Sequence, residues 1–271
     1  MDGNEILQAR TGSATRSFES VLCLEISQYT FAEAGASACT AISLAALSKV
    51  LCELKFGNLD NISCGLTDVI FESINCLTAC TENPSNHLSV DELTSVLPHH
   101  IRNVSELPLQ GFLSNRHSHF RDAFAEARRR AVSPHSNIGI IITKPPETVC
   151  VILPPISVPV LVSAANVVGS ELSSSTSTGK YYLFDPHARP QLGLDGAYLV
   201  STDFEVDILQ RLDDLFPPLP ADDDDFSQGE GGGGGGGGGF YTRGYADSSG
   251  PTNYGAMMYN MFECWVFQVN E

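Results

Sequence analysis

The chain has 271 residues, 42% of them hydrophobic, with 15 Lys and Arg against 32 Asp and Glu and a formal net charge of −17. That apolar content excludes a wholly disordered chain and suits one domain of above-average size, or two small ones. The charge argues against a nucleic-acid partner, whose phosphates need clustered Lys and Arg, and against an anionic membrane surface.

The acidity is uneven: 13 of the acids but only 2 of the bases, Arg211 and Arg243, lie from Asp203 onward. Residues 1–16 read as a flexible N-terminus. Their acidic, polar start holds no secretory apolar run, which implies a cytoplasmic or nuclear protein. Residues 17–271 read as a single domain. Within Ser17–Thr30 the stretch VLCLEISQYT predicts a strand leading into a turn. Next comes GASACTAISLAALSKVLCELKF, where Ile42, Ala45, Ala46, Lys49, Val50 and Leu54 fall near helical spacing. Cys39–Leu54 therefore reads as a helix buried on most sides, entered through Gly35 and capped by Ser37. A second helix is expected over Cys64–Ala79. Ser89-Val90-Asp91-Glu92 has the capping-box pattern of a short third helix ending before Pro98. His119–Ala131 reads as an amphipathic helix with Arg128, Arg129 and Arg130 at its C-terminal end, suited to the helix dipole.

The pattern then changes. Ile138–Thr143, Thr148–Leu153, Tyr181–Asp185 and Ala197–Ser201 are short, apolar and rich in β-branched or aromatic residues, as in an antiparallel sheet. Thr148–Ser170 carries no charge and is long enough to span a bilayer, but Pro154, Pro155 and Pro159 make it strand, turn and strand instead. Ser170–Gly179 reads as a flexible loop. Phe204–Leu215 is a further helix and Phe262–Val269 a closing strand. Between them, about 217–251, lie the acidic run Asp222–Asp225 and nine consecutive glycines at 231–239. Polyglycine loses the most backbone entropy on ordering, so this insertion reads as a disordered loop. It is no phosphate cradle, lacking the flanking strand, helix and Lys. The fold class is α+β, with N-terminal helices packed on a mostly antiparallel sheet.

Eight cysteines sit mostly in apolar stretches and read as reduced core thiols rather than a disulfide framework. Cys76, Cys80 and His87 provide three of the four ligands zinc needs, and no fourth is near, so no metal is expected and no cofactor either.

Two segments could carry chemistry. Gly35-Ala36-Ser37-Ala38-Cys39-Thr40 delivers a thiol to a helix start, where the dipole and unsatisfied N–H groups favour thiolate and can hold an oxyanion. Tyr182-Leu183-Phe184-Asp185-Pro186-His187 ends a strand in an Asp-x-His pair. Two residues apart on an extended chain, the carboxylate and imidazole share one side, and the carboxylate can fix the imidazole tautomer. The first segment also approaches the G-x-S-x-G elbow, with Ser37 as nucleophile, but Cys39 replaces the closing glycine and the α/β repeat is missing.

GASACTAISLAAL together with YYLFDPHARP resembles the papain-like cysteine proteases, particularly deubiquitinases with an Asp-x-His pair such as the herpesvirus tegument proteases. The resemblance extends to the strand pair around Thr143–Thr148 and to the closing strand. It implies a papain-like fold and a triad of Cys39 as nucleophile, His187 as general base and Asp185 as its orienting partner. The implied partners are ubiquitin or ubiquitin-like conjugates, cleaved after the C-terminal glycine. One position departs from the pattern: six residues before Cys39, where the family usually has an oxyanion-donating Gln, stands Glu33. An ionised carboxylate cannot donate. The oxyanion candidates are then a protonated Glu33, Gln28 or a backbone N–H; the alternative is an impaired enzyme that acts as a ubiquitin- or protein-binding module.

Overall fold

The computed structural model describes residues 5–9, 18–31, 35, 37–57, 61–80, 88–93, 101–113, 119–155, 179–218 and 259–270. In chain order the elements are β1 (Glu5–Ala9), β2 (Phe18–Cys23), α1 (Cys39–Phe56), α2 (Asn61–Cys80), α3 (Val90–Leu93), β3 (Ile101–Asn103), β4 (Leu109–Phe112), α4 (His119–Arg130), β5 (Ile138–Lys144), β6 (Glu147–Leu153), β7 (Tyr181–Asp185), β8 (Tyr198–Thr202), α5 (Glu205–Leu215) and β9 (Met261–Val269). The nine described strands form one sheet, ordered β1-β2-β8-β7-β6-β5-β9-β3, with β4 also on β9. Every pairing is antiparallel.

The strands at the centre are apolar on both faces, and the alternation of their side chains sorts them into two cores. Ile138, Ile140 and Ile142 of β5, Val149, Val151 and Leu153 of β6 and Leu183 of β7 face a core shared with Phe120, Phe124 and Ala127 of α4 and Ile208, Leu209 and Leu212 of α5. Ile141, Cys150, Ile152, Tyr182 and Phe184 face the other, filled by Ile42, Leu47, Val50 and Leu51 of α1 and Leu66, Ile70 and Ile74 of α2. The sheet is thus covered on both sides. α1 lies between α2 and the strands, which is why its sequence has no polar face wide enough for solvent. Gly139 lets it approach: a Cβ there would sit 2.6 Å from Cδ1 of Leu47.

The expected helices, and the strands expected within the described residues, form within a few residues of their expected ends; the second strand expected within Thr148–Ser170 falls on residues 156–170, outside the described residues. At the short α3, Ser89 donates to Glu92 Oε2 from its backbone N at 2.8 Å and from Oγ at 2.7 Å, which ties the N-terminus together. The arginines ending α4 meet partners within the chain: Arg129 and Arg130 pair with Glu126, and Arg128 with Glu205 of α5.

The structure departs from the sequence reading in four places. Residues 5–9, within the segment expected to be flexible, pair with β2 as β1. β3 and β4 escape the sequence reading because they are only three and four residues long and share one partner, β9. Between them the ladder is interrupted, with Val266 N–H donating at 3.0 Å to Ser105 Oγ instead of to a backbone carbonyl. Helices do not precede the sheet but interleave with it. And Cys76 is exposed on α2, not part of a core. Residues 170–178 and 219–251 of the two expected loops lie outside the described residues.

Phe120 packs against two separate segments of the chain's last third, its ring centroid 4.6 Å from that of Phe262 and 6.2 Å from that of Phe216. Phe120→Ala is expected to cost about 3–5 kcal/mol of unfolding free energy, as buried Phe truncations do, read as a lowered urea midpoint with unchanged slope.

Candidate active site

Cys39 is the first residue of α1 and is 1% exposed. The residue at the helix cap is Ala38, not Ser37. Lacking a side-chain oxygen, Ala38 cannot cover the first-turn N–H groups, so the helix entry is built of small residues whose backbone does the hydrogen bonding. Gly35 is required here by contact: a Cβ would fall 1.7 Å from the carbonyl oxygen of Gln28.

The structure brings Cys39 together with His187 and Asp185, which lie at the end of β7 and just beyond it. Asp185 Oδ1 lies 2.5 Å from His187 Nδ1 and accepts the His187 backbone N–H at 2.9 Å. The imidazole and the Cys39 thiol are close enough to act on one another, each shifting the other's titration. Cys39 Sγ also lies 3.6 Å from the carbonyl oxygen of Pro146, at the turn between β5 and β6. Asp185 and His187 are 0% and 1% exposed, so the pair is removed from water.

The charges of the site sustain one another. Burial opposes ionisation of Cys39, yet the hydrogen bond and charge of His187, followed by contacts from Thr148, outweigh it and lower the thiol from its ordinary 9.0. Burial likewise disfavours the imidazolium, but hydrogen bonds from Asp185 and Cys39 raise His187 to about 9. Burial also opposes ionisation of Asp185, and His187 and then Arg189 hold it below the carboxylate range. A thiol pushed down beside an imidazole pushed up is the condition for a thiolate–imidazolium pair.

Arg189 reaches back to this carboxylate. Its Nε donates to Asp185 Oδ2 at 2.8 Å, and its two terminal nitrogens donate to Glu147 Oε1 and Oε2 at 2.9 and 2.8 Å. The Arg189 backbone is fixed as well, with N–H donating to Leu194 O at 2.6 Å. β6, which begins at Glu147, adjoins β7, which ends at Asp185, so the antiparallel register delivers both carboxylates to one end of the sheet.

The other wall is the turn Gln28–Phe31 after β2. Gln28 is 2% exposed, its backbone N–H donates to Pro186 O at 3.1 Å, and its Oε1 has no hydrogen-bond partner. Tyr29 stands beside it, 53% exposed, its ring centroid 5.8 Å from that of His187. Burial and the neighbouring Glu147 raise the Tyr29 phenol, keeping it a donor. Beneath Cys39, Thr148 Oγ1 contacts Thr40 Oγ1 at 3.1 Å and Thr143 Oγ1 at 3.2 Å.

Of the oxyanion candidates, Gln28 lies at the site and Glu33 lies outside the described residues, as do His87 and the Cys80 side chain. Glu147, Tyr29 and Thr148 were not singled out from sequence. Arg189 was visible only as a cation in an otherwise apolar motif, four residues after Asp185.

No family model and no curated protein matches the sequence. Among solved structures the chain is similar to the ubiquitin-specific protease encoded by murine cytomegalovirus tegument protein M48, solved in complex with a ubiquitin-based suicide substrate. The TM-score is 0.48 and the identity 12%, covering 93% of this chain and 86% of that one. So distant a likeness carries no weight for function.

The pair predicts a pH signature. His187→Ala removes what lowers the thiol and leaves burial, which raises it. The ultraviolet absorbance of the Cys39 thiolate, taken against Cys39→Ala, is expected to rise below pH 9.0 in the unaltered chain and only above it in His187→Ala. Superimposable titrations would show that the two side chains are uncoupled.

Proposed function

We propose that this chain is a cysteine hydrolase acting in the cytoplasm or nucleus on ubiquitin or ubiquitin-like conjugates, cutting after their C-terminal glycine, with a papain-like arrangement of helix and sheet. The observation that carries the chemistry is the buried contact of Cys39, His187 and Asp185 with opposed shifts on thiol and imidazole. The substrate class rests on the resemblance of the two motifs around Cys39 and His187 to deubiquitinases.

In this mechanism the Cys39 thiolate attacks the scissile carbonyl carbon, and the carbonyl oxygen becomes an oxyanion. His187 gives its proton, from the nitrogen facing Cys39, to the departing amine. The C–N bond breaks and a thioester remains on Cys39. Water then attacks that thioester, His187 takes the water's proton, and the thiolate leaves as the carboxylate product forms. Asp185 keeps its bond to Nδ1 throughout and stabilises the imidazolium without itself being protonated.

Gln28 is the side-chain oxyanion donor in this reading. It is held beside the triad by its bond to Pro186, and its amide can donate where Glu33 cannot. Tyr29, next to it at the surface, narrows the approach to His187 and suits a slender tail. The alternative, a module that binds such proteins without cleaving them, rests on Glu33 alone.

A ubiquitin probe with a C-terminal electrophile is expected to label the chain and to spare Cys39→Ala. No labelling of the unaltered chain would count against hydrolysis. Gln28→Ala is expected to lower kcat by about 100- to 1000-fold, the usual cost of one oxyanion donor, in a fluorogenic assay on a ubiquitin C-terminal amide. An unchanged kcat would remove Gln28 from that role.

A further inference from the structure

The fork from Arg189 to Glu147 has no part in the mechanism above, yet it spends a buried guanidinium and a carboxylate at the centre of the molecule. Arg189 is 7% exposed. Every donor it offers to the site meets a carboxylate oxygen: Nε on Asp185 Oδ2, the other two nitrogens on Glu147. Asp185 has two oxygens, and only one can serve His187. The bond to Arg189 takes the second and so decides which one faces the imidazole. A guanidinium beside Asp185 would also cancel much of the field that holds the imidazolium. Glu147, on the far side of the same guanidinium, offsets that charge.

We propose that Arg189 and Glu147 are positioning residues of this site: Arg189 fixes Asp185 so that one oxygen addresses His187, while Glu147 orients Arg189 and offsets its charge. The inference rests on the hydrolase reading for its use, but its test does not. The two-point fork is specific to Arg; Lys supplies the charge without the geometry. The fork also joins two chain segments, because Glu147 follows Pro146, whose carbonyl touches the Cys39 thiol. The turn that borders the nucleophile and the loop that carries the imidazole are thereby held at one separation.

The groups facing His187 are Asp185 on its own segment, Cys39 on α1 and Tyr29 on the turn after β2. Those facing Asp185 are His187, Arg189, Tyr198 on β8 and Cys150 on β6. Tyr198 and Cys150 are both raised, burial being the main cause, and stay neutral across the working range. Besides burial, the charges that act directly on His187 are therefore Asp185 and Cys39; Arg189 reaches it through Asp185, and Glu147 through Arg189.

The test is the NMR titration of the His187 ring in the full chain, run beside the pH dependence of Cys39 alkylation by iodoacetamide, quantified at the Cys39 peptide. Neither readout needs ubiquitin, so a chain inactive on the probe would refute the substrate and leave this proposal to be judged separately. Glu147→Gln, at a partly exposed position, keeps the shape but removes the charge. It is expected to lower the His187 midpoint by roughly one unit, as loss of a unit charge two hydrogen bonds away does at protein-like dielectric. Arg189→Gln is expected to raise it, since both carboxylates are then uncompensated. Arg189→Lys is expected to leave the midpoint near the unaltered value while slowing Cys39 alkylation at neutral pH several-fold through misplacement of the imidazole. Opposite shifts in the two Gln variants support the proposal. Midpoints unchanged in Glu147→Gln, or shifts of the same sign in both, overturn it, as does unslowed Cys39 alkylation in Arg189→Lys. Should Arg189→Gln fail to fold, Glu147→Gln and Arg189→Lys still decide.

Discussion

An ionised carboxylate sealed from water is the constraint from which the centre of this molecule follows. Asp185 has no solvent contact, and the cost of burying a charge is several kcal/mol unless hydrogen bonds replace the lost water. Three donors do so: the His187 ring, the His187 backbone N–H and Arg189 Nε. The backbone bond requires the chain to fold back on itself directly after β7. The guanidinium bond requires the loop to bring residue 189 back toward residue 185, which the Arg189–Leu194 bridge secures. Arg189 is a buried cation in its turn and has to be matched again, by Glu147. Each solution to one desolvation problem sets the next.

The sheet makes that chain of compensations possible. β6 and β7 are adjacent and antiparallel, so the start of one and the end of the other fall at the same edge. β6 is also the partner of β5 in a hairpin, whose turn places the Pro146 carbonyl against the first residue of α1. The helix is held over this edge by close packing on Gly139 and on the strands beside it. Rigid elements thus supply the thiol from one face of the sheet, the carboxylate from the last residue of a strand and the imidazole from two residues beyond it. Only the turn carrying Gln28 and Tyr29 comes from elsewhere, and its backbone bond to Pro186 ties it to the same loop.

How much of this was legible in the sequence depended on whether a signal was local. Cys39 at a helix entry and Asp185 with His187 at a strand end are local patterns, and the structure brings all three together. The central strands were legible for the same reason: buried on both sides, they read as continuous apolar runs. Glu147 was not, because an acid at a strand start looks like any solvated turn residue until the loop after β7 brings the Arg189 side chain to it. β3 and β4 were too short to show a period, and their pairing with β9 joins segments far apart in the chain. Ser37 was expected to cap α1 because Ser is a favoured cap residue; the cap is instead the next residue, Ala38, and the helix begins at Cys39. Cys76 was assigned to a core because α2 is apolar in composition, but composition does not say which face of a helix is turned inward.

The long stretch between β6 and β7 has a position with its own consequence. Ile152 is opposite Tyr182 and Cys150 opposite Phe184, so Leu153 and Tyr181 close the end of the strand pair remote from Asp185. The chain therefore leaves β6 at Leu153 and re-enters β7 at Tyr181 on the rim opposite the one that holds Asp185. The number of residues joining those two points is uncoupled from the register at Asp185. None of the donors to Asp185 lies in that connection, so its length and composition can change without altering how the buried carboxylate is matched.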